Sequence, residues 1–273
     1  MKISLGTLII SVSNDYFKLG PWTMLTESSD SRTNRWIISM TASRLRFKLL
    51  GSSKVAKLKK LPYVENSIDA MLARASSFAE MLQQRRTVRD FSSRRPPEKV
   101  ILDCLRVAAS SPSGANQQPW HFVVVKDEAM KHSIRVAAEK EEQEFYSGRA
   151  PLDWLRALQA IGTDANKPFL EQAPYLIAIF QERYHYDENN KRIKHYYAPE
   201  SVGLATGFLI TAIHNAGLVC LTHTPSPMKF LNGLLSRPKQ EKPFLILVVG
   251  YPAESAMVPE LPKKDLGQVV TII

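Results

Sequence analysis

The sequence of 273 residues has little cysteine and no long hydrophobic run. Its two cysteines, Cys104 and Cys220, cannot cross-link a chain of this size, so a disulfide scaffold is excluded and a reducing compartment is favoured. A membrane-spanning helix needs about 18 consecutive apolar residues. The longest candidates, Leu5–Val12 and Phe244–Val249, are much shorter, so no membrane span is expected.

Several sequence motifs of hydrolases, nucleotide-binding proteins and metal sites are also missing. The chain has no HExxH, CxxC, GxSxG or P-loop motif. Its six histidines show no spacing typical of metal ligands. These absences argue against a zinc enzyme, an NTPase and a serine hydrolase, and we expect no metal ion.

Positive charge is concentrated at the N-terminus. Residues 1–64 hold eleven Lys and Arg against three Asp and Glu, which accounts for +8 of the net charge of +10. Because the remainder is nearly neutral, we expect no nucleic-acid partner. We divide the chain into a basic, disordered extension, residues 1–62, and a folded body, residues 63–273. We expect a cytoplasmic protein, and the alternative is association with a membrane, or targeting, through residues 1–62.

Helical and strand patterns mix irregularly in the body. Apolar steps of three and four predict helices that start at Ser67 and after Pro96–Pro97, and that cover Asp127–Tyr146 and Ser201–Ala216. Gly203 and Gly207 lie four residues apart in the last helix and predict close packing there. Short apolar runs predict four strands, His121–Lys126, Tyr175–Phe180, Leu218–Thr222 and Phe244–Gly250. Without a regular βαβ rhythm, this mixture indicates an α+β sandwich.

Two clusters of polar residues are candidates for a ligand site. Arg85–Arg89 (RRTVR) brings three guanidinium groups and a hydroxyl together, and guanidinium groups match phosphate oxygens in pairs. Ser111–Trp120 (SPSGANQQPW) combines small residues, which let a backbone approach a planar ligand, with hydrogen-bonding side chains. Taken singly, the first could be a solvated helix end and the second a plain loop.

In this order, the two clusters resemble the nitroreductase-like flavoenzyme superfamily. The similarity continues through Gly217–Val219, Thr222–Pro225 and Val249–Pro252, and it covers about residues 66–273. The resemblance implies an α+β sandwich whose central mixed or antiparallel sheet is flanked by helices. It also implies an FMN-binding catalytic domain and an intertwined homodimer with sites made by both chains.

A spaced triplet resembles the iodotyrosine deiodinase branch of that superfamily. Glu142 and Tyr146 lie four residues apart on one helical face, and Lys167 follows 21 residues later. A carboxylate and an ammonium group suit the two charges of a free amino acid, and a phenol adds a hydrogen bond. The resemblance implies that these three side chains bind the charged amino and carboxylate groups of a zwitterionic halotyrosine. Considered singly, each would be an ordinary surface residue.

The resemblance also assigns roles to individual residues. It implies that FMN is bound by Arg85, Arg86, Thr87, Arg89, Ser113, Gly114, Thr222, His223, Thr224 and Lys263. The Ala115 amide corresponds to one that meets the substrate phenolate, and the Thr224 hydroxyl to one that reaches flavin N5 and serves catalysis. His223 replaces a threonine of the family. Lys263 replaces an arginine, and a lysine cannot make the two parallel hydrogen bonds that a guanidinium group makes to a phosphate.

The activity implied by the resemblance is reductive dehalogenation. Iodotyrosine and diiodotyrosine would yield tyrosine and iodide, with electrons carried by FMN. One alternative is a general NAD(P)H-dependent nitroreductase or quinone reductase, which needs no grip on an amino acid. Another is a flavin-binding sensor that does not turn its ligand over. The electron source, NAD(P)H or a partner reductase, stays open because no GxGxxG motif is present.

Overall fold

The computed structural model describes residues 57–273. The chain divides into two units, Met1–Tyr63 and Val64–Ile273, and the predicted extension 1–62 lies almost wholly outside the described residues. The second unit contains helices α1 to α7, namely Ile68–Gln83, Glu98–Ala109, Glu128–Glu144, Leu152–Ala160, Phe169–Gln172, Ala198–Asn215 and Phe230–Leu234. Its strands β1 to β6 are Trp120–Val125, Tyr175–Glu182, Tyr184–Tyr186, Arg192–Lys194, Val219–His223 and Glu241–Gly250.

The central sheet has four strands in the order β1-β2-β6-β5, and all its neighbours are antiparallel. The four predicted strands are therefore confirmed. Of the two sheet types expected, the antiparallel one is present, and within residues 57–273 the parallel component is limited to an isolated bridge between Thr87 and Cys220. The short hairpin β3-β4 was not predicted, because its strands are polar and three residues long.

Side chains of β2 alternate between two hydrophobic cores. Leu176, Ala178 and Phe180 belong to the core that contains Ile134 of α3. Residues 175, 177 and 179 belong to the opposite core, which is made with helices α2 and α6. Both faces of the strand are thus buried, which explains its continuous apolar sequence. Each large apolar side chain buried in this way contributes about 1.5–3 kcal/mol. The result is the predicted α+β sandwich, with the sheet between two helical layers.

The long helix α3 begins as its sequence predicts. The Asp127 side chain caps it by accepting a hydrogen bond from the Met130 amide at 2.8 Å. The α-helical part ends at Glu144, and a π-helical turn, Phe145–Arg149, continues it. Tyr146 therefore lies in the π-helical turn, whereas Glu142 lies in the regular α-helix.

Two helical surfaces have no covering within the second unit. Helix α1 buries none of its residues, and Ile68 and Leu72 of its apolar stripe are 75% and 64% exposed. On α6 the predicted close packing at Gly203 and Gly207 is wrong for the single chain, because a Cβ atom built at either glycine meets nothing within 4 Å. Among the described residues, no helix has the length and apolarity to cross a membrane.

Candidate functional site

The arginine cluster lies at the edge of the sheet. Helix α1 ends just before it, and the Val88 amide donates to the Cys220 carbonyl at 3.3 Å. The Ala253 amide donates to the Asp90 carbonyl at 2.9 Å and holds the other end. Because Val88 is buried in this extended segment, the neighbouring polar side chains are directed away from the core. The sheet edge therefore fixes the arginine cluster.

These side chains border a basic cavity of about 260 Å³. Its lining comprises Arg85, Arg86, Thr87, Arg89, Ile161, Leu221, Thr222, Pro259, Leu261 and Lys263, so no acidic residue belongs to it. Arg86 donates a hydrogen bond to the Pro259 carbonyl and thereby ties the C-terminal segment to the arginine cluster. Six of the ten residues predicted to bind FMN are brought together here. The cavity has the charge and the donor groups that a phosphate ester requires.

A second cavity, of about 550 Å³, adjoins the first. The two share Arg89, Ile161, Leu221 and Thr222. The second is also lined by Glu142, Phe145, Tyr146, Arg149, Trp154, Leu158, Thr163, Lys167, Phe169, His223, Thr224 and Ser226. The predicted triplet and the end of β5 therefore face one space. We refer to residues 139–167, which form one side of this space, as the lid.

Lys167 is the most buried member of the triplet. Its Nζ lies 3.3 Å from Glu142 Oε2 and 3.1 Å from Thr163 Oγ1, and it also donates to the Asp164 carbonyl. An ammonium group has three donors, so all three are used. The side chains of Lys167 and Glu142 are 4% and 13% exposed, which makes this a nearly buried ion pair.

Burial sets the protonation of the two remaining members of the triplet. It raises the pKa of Glu142, and the opposing effect of Lys167 is smaller. It also raises the pKa of Tyr146, whose hydroxyl donates to the Thr163 carbonyl at 3.2 Å. Tyr146 therefore stays a hydrogen-bond donor at neutral pH. Its ring lies 5.6 Å from Lys167 Nζ, which is within cation–π distance.

His223 is buried at the end of β5, between Thr222 and Thr224. Desolvation, aided by the charge of Lys167, lowers its pKa to about 3, so the imidazole is neutral at physiological pH. The ring packs edge-on against Phe169, with 5.5 Å between the ring centroids. Its Nε2 has no hydrogen-bond partner among the described residues, so this side chain retains an unused polar atom at the cavity.

The loop that carries Ser113, Gly114 and Ala115 lines neither cavity in the single chain. It packs instead near the start of α6, where a Cβ atom at Gly114 would lie 3.0 Å from the Tyr196 carbonyl oxygen. Ala115 adopts a left-handed backbone with φ of 51°, and such strain is common in functional loops. The structure therefore separates these three predicted residues from the other members of the predicted site.

Several cavity residues were not predicted from the sequence, among them Phe145, Arg149, Trp154 and Thr163. Phe145 and Trp154 contact each other edge-on at 5.5 Å and form an aromatic wall. Arg149 is held by the Glu141 carbonyl at 2.7 Å. Thr163 lies four residues before Lys167, but the segment between them is not helical, so this spacing gave no signal.

The antiparallel sheet between two helical layers, with an arginine cluster at its edge, defines a nitroreductase-like α+β protein. In agreement, the model of the nitroreductase family matches residues 82–251. Iodotyrosine deiodinase of Haliscomenobacter hydrossis is 52% identical over 204 residues, which are 75% of this chain and 92% of that protein. Iodotyrosine deiodinase 1 of Homo sapiens is 42% identical over 206 residues, covering 74% and 71%. The chain therefore belongs to the nitroreductase family and, within it, to the iodotyrosine deiodinases.

Solved structures agree with this assignment. The crystal structure of an oxidised iodotyrosine deiodinase bound to FMN and 3-iodo-L-tyrosine has a TM-score of 0.61 at 33% identity, covering 69% of this chain and 96% of that one. A Bacteroides fragilis nitroreductase with bound FMN has a TM-score of 0.54 at 20% identity, covering 72% and 98%. The second similarity concerns the fold alone. The predicted fold class and family are confirmed.

Proposed function

We propose that this protein is an FMN-dependent reductive dehalogenase of halotyrosines, with 3-iodotyrosine and 3,5-diiodotyrosine as substrates. The observation that carries the proposal is the nearly buried Glu142–Lys167 pair in a cavity that adjoins a basic one. A general reductase of aromatic compounds has no need for two opposite charges at this place. The relatives named iodotyrosine deiodinase support the same function.

The residues of the basic cavity fit FMN. The guanidinium groups of Arg85, Arg86 and Arg89, with Lys263, would hold the phosphate and the electron-rich edge of the flavin. The unpartnered Nε2 of His223 offers a further polar contact in the adjoining cavity. When bound, FMN supplies two electrons, which together with one proton replace a carbon–iodine bond by a carbon–hydrogen bond and release iodide.

Glu142 and Lys167 would bind the substrate by exchanging partners. The Lys167 ammonium has no free donor, so an incoming carboxylate must displace one of its acceptors. Glu142 is the acceptor to leave, because the same ligand brings an ammonium group for it. One internal ion pair is thereby replaced by two pairs with the ligand. A ligand that carries both charges leaves neither side chain unpaired.

Other cavity residues would position the aromatic ring and exclude water. The aromatic wall of Phe145 and Trp154 covers the lid side of the cavity with apolar surface. Tyr146, which stays protonated, can move its hydrogen bond from the Thr163 carbonyl to the ligand. The Thr224 hydroxyl at the end of β5 is the group that we assign to the hydrogen bond with flavin N5.

We further propose a homodimer. The apolar stripe of α1, the open glycine face of α6 and the exposed apolar tail Val269–Ile273 are surfaces that a second copy of the chain would cover. The separation of the loop 113–115 from both cavities supports this, because the partner could supply the loop to the site. A flavin-loaded monomer in size-exclusion chromatography with light scattering would contradict the dimer.

Comparison of two substrates tests the proposed function. The FMN-loaded protein is reduced and mixed anaerobically with 3-iodotyrosine or with a nitroaromatic compound, and Glu142→Gln is assayed beside the wild type. We expect release of tyrosine and iodide by the wild type and a large loss with Glu142→Gln. Turnover of the nitroaromatic compound alone, unaffected by Glu142→Gln, would favour a general nitroreductase. The same assay with NAD(P)H or a reductase identifies the electron donor.

A further inference from the structure

A group of polar side chains behind the triplet joins α3 to the segment that precedes α5. Arg135 donates from Nε to Glu139 Oε1 at 2.7 Å and from Nη2 to Asn166 Oδ1 at 2.9 Å. Its Nη1 lies 3.4 Å from Glu171 Oε2. The Lys167 amide in turn donates to Glu139 Oε1 at 2.7 Å. Arg135 thus contacts the next turn of its own helix, the segment that precedes α5, and α5 itself.

Glu139 fixes the backbone from which the Lys167 side chain extends. The next residue is Pro168, which has no amide hydrogen and is the N-cap residue of α5. The Lys167 amide is therefore the last backbone donor of this turn before α5, and it is used on Glu139 of α3. Glu139 and Glu142 lie on the same helix, so the hydrogen bond fixes Lys167 relative to its own ionic partner.

The environment makes these contacts stronger than those at an open surface. The side chains of Arg135 and Glu139 are 26% and 20% exposed. Partial burial reduces solvent screening, and hydrogen bonds that involve charged groups are stronger than neutral ones. One oxygen atom of Glu139 accepts hydrogen bonds from both Arg135 Nε and the Lys167 amide. By contrast, the lid pair of Arg156 and Asp153, 77% and 94% exposed, joins two residues of the same helix and connects no other segment to it.

We infer that Glu139, held by Arg135, is a positioning residue that sets Lys167 for recognition of the substrate carboxylate. The inference rests on the proposed function. Glu139 does not line the cavity and would act only through Lys167. Without it, the turn at 166–168 would keep the contact between Arg135 and Asn166 but lose the hydrogen bond that ties the Lys167 backbone itself to α3. Binding would then include the cost of ordering Lys167.

The test compares a zwitterionic ligand with an uncharged one. Binding of 3-iodotyrosine and of 2-iodophenol to the FMN-loaded protein is measured by calorimetry for the wild type, Glu139→Ala and Glu139→Gln. The matched control is Arg156→Ala, which removes an exposed ion pair from the same lid. Hydrogen exchange at the Lys167 amide is measured in each protein without ligand.

We expect Glu139→Ala to weaken 3-iodotyrosine binding about tenfold and 2-iodophenol binding less than about twofold. Glu139→Gln keeps an oxygen acceptor and should recover most of the affinity, and Arg156→Ala should match the wild type. Exchange at the Lys167 amide should accelerate in Glu139→Ala alone. An equal loss for both ligands would show a general effect on the lid and would overturn the inference.

Failure of the proposed function has a different signature. Absence of 3-iodotyrosine binding by the wild type would overturn that function and, with it, the role of Glu139 in ligand recognition. Unchanged exchange at the Lys167 amide in Glu139→Ala, with normal binding by the wild type, would overturn the positioning role alone.

Discussion

Replacing Lys167 by methionine should affect stability and ligand binding in separable ways. In the ligand-free protein the change leaves the Glu142 carboxylate without its ionic partner in a site where its side chain is 13% exposed. Removing one partner of a buried pair costs about 3–5 kcal/mol. Because Glu142 has a raised pKa and can take up a proton, we expect the lower end, about 3 kcal/mol.

The double variant Glu142→Gln/Lys167→Met separates the two effects. It removes both charges, so the unfolding free energy should recover by more than half, since a nearly neutral exchange of both partners is common for buried pairs. Binding of 3-iodotyrosine should not recover, and it should stay about a hundredfold weaker in both variants because the charged contacts with the ligand are lost.

Urea unfolding at neutral pH and calorimetric titration measure the two quantities. The exposed pair of Lys99 and Asp103, 2.7 Å apart, provides the control, and Lys99→Met should change the unfolding free energy far less than Lys167→Met does. The reasoning is refuted if the double variant is as unstable as Lys167→Met, or if either variant binds 3-iodotyrosine like the wild type.

Three further changes probe other parts of the account. His223 has a pKa of about 3 in the fold against 6.5 for the free side chain, so its stability contribution is present above about pH 6.5 and is lost as the pH falls towards 3. At pH 5 this loss is about 2 kcal/mol of unfolding free energy. In urea unfolding, the wild type should therefore be less stable at pH 5 than at pH 7, and His223→Thr should lack this part of the difference. Gly250→Ala should destabilise the protein by about 1–3 kcal/mol in the same urea assay, because the new Cβ atom would lie 2.6 Å from Pro174 Cδ. The affinity for 3-iodotyrosine should fall as the pH drops through the raised pKa of Glu142, above the ordinary carboxyl value of 4.5, and Glu142→Gln should abolish this dependence in calorimetric titrations.

The sequence was most informative where local periodicity and burial agree. The run Tyr175–Phe180 is apolar on both faces because two cores meet at β2, so its strand could be predicted directly. The spacing of Glu142 and Tyr146 places both at the cavity, although the π-helical turn that contains Tyr146 has no sequence signal.

Contacts between distant segments could not be predicted in this way. Glu139 holds the Lys167 backbone only because the segment around Lys167 folds back onto α3. The position of the loop 113–115, away from both cavities, also has no local signal in the sequence. The glycine face of α6 was predicted to pack closely because small residues suit close contact, but the second unit places nothing against it.

A single anaerobic turnover tests the central claim most directly. The purified protein is loaded with FMN, reduced with one equivalent of dithionite and mixed with 3-iodotyrosine, and the products are quantified. The proposed dehalogenase should release one iodide and one tyrosine for each reduced flavin, with reoxidation of the flavin in the absence of oxygen. A flavin that stays reduced, with 3-iodotyrosine recovered unchanged, would contradict the account.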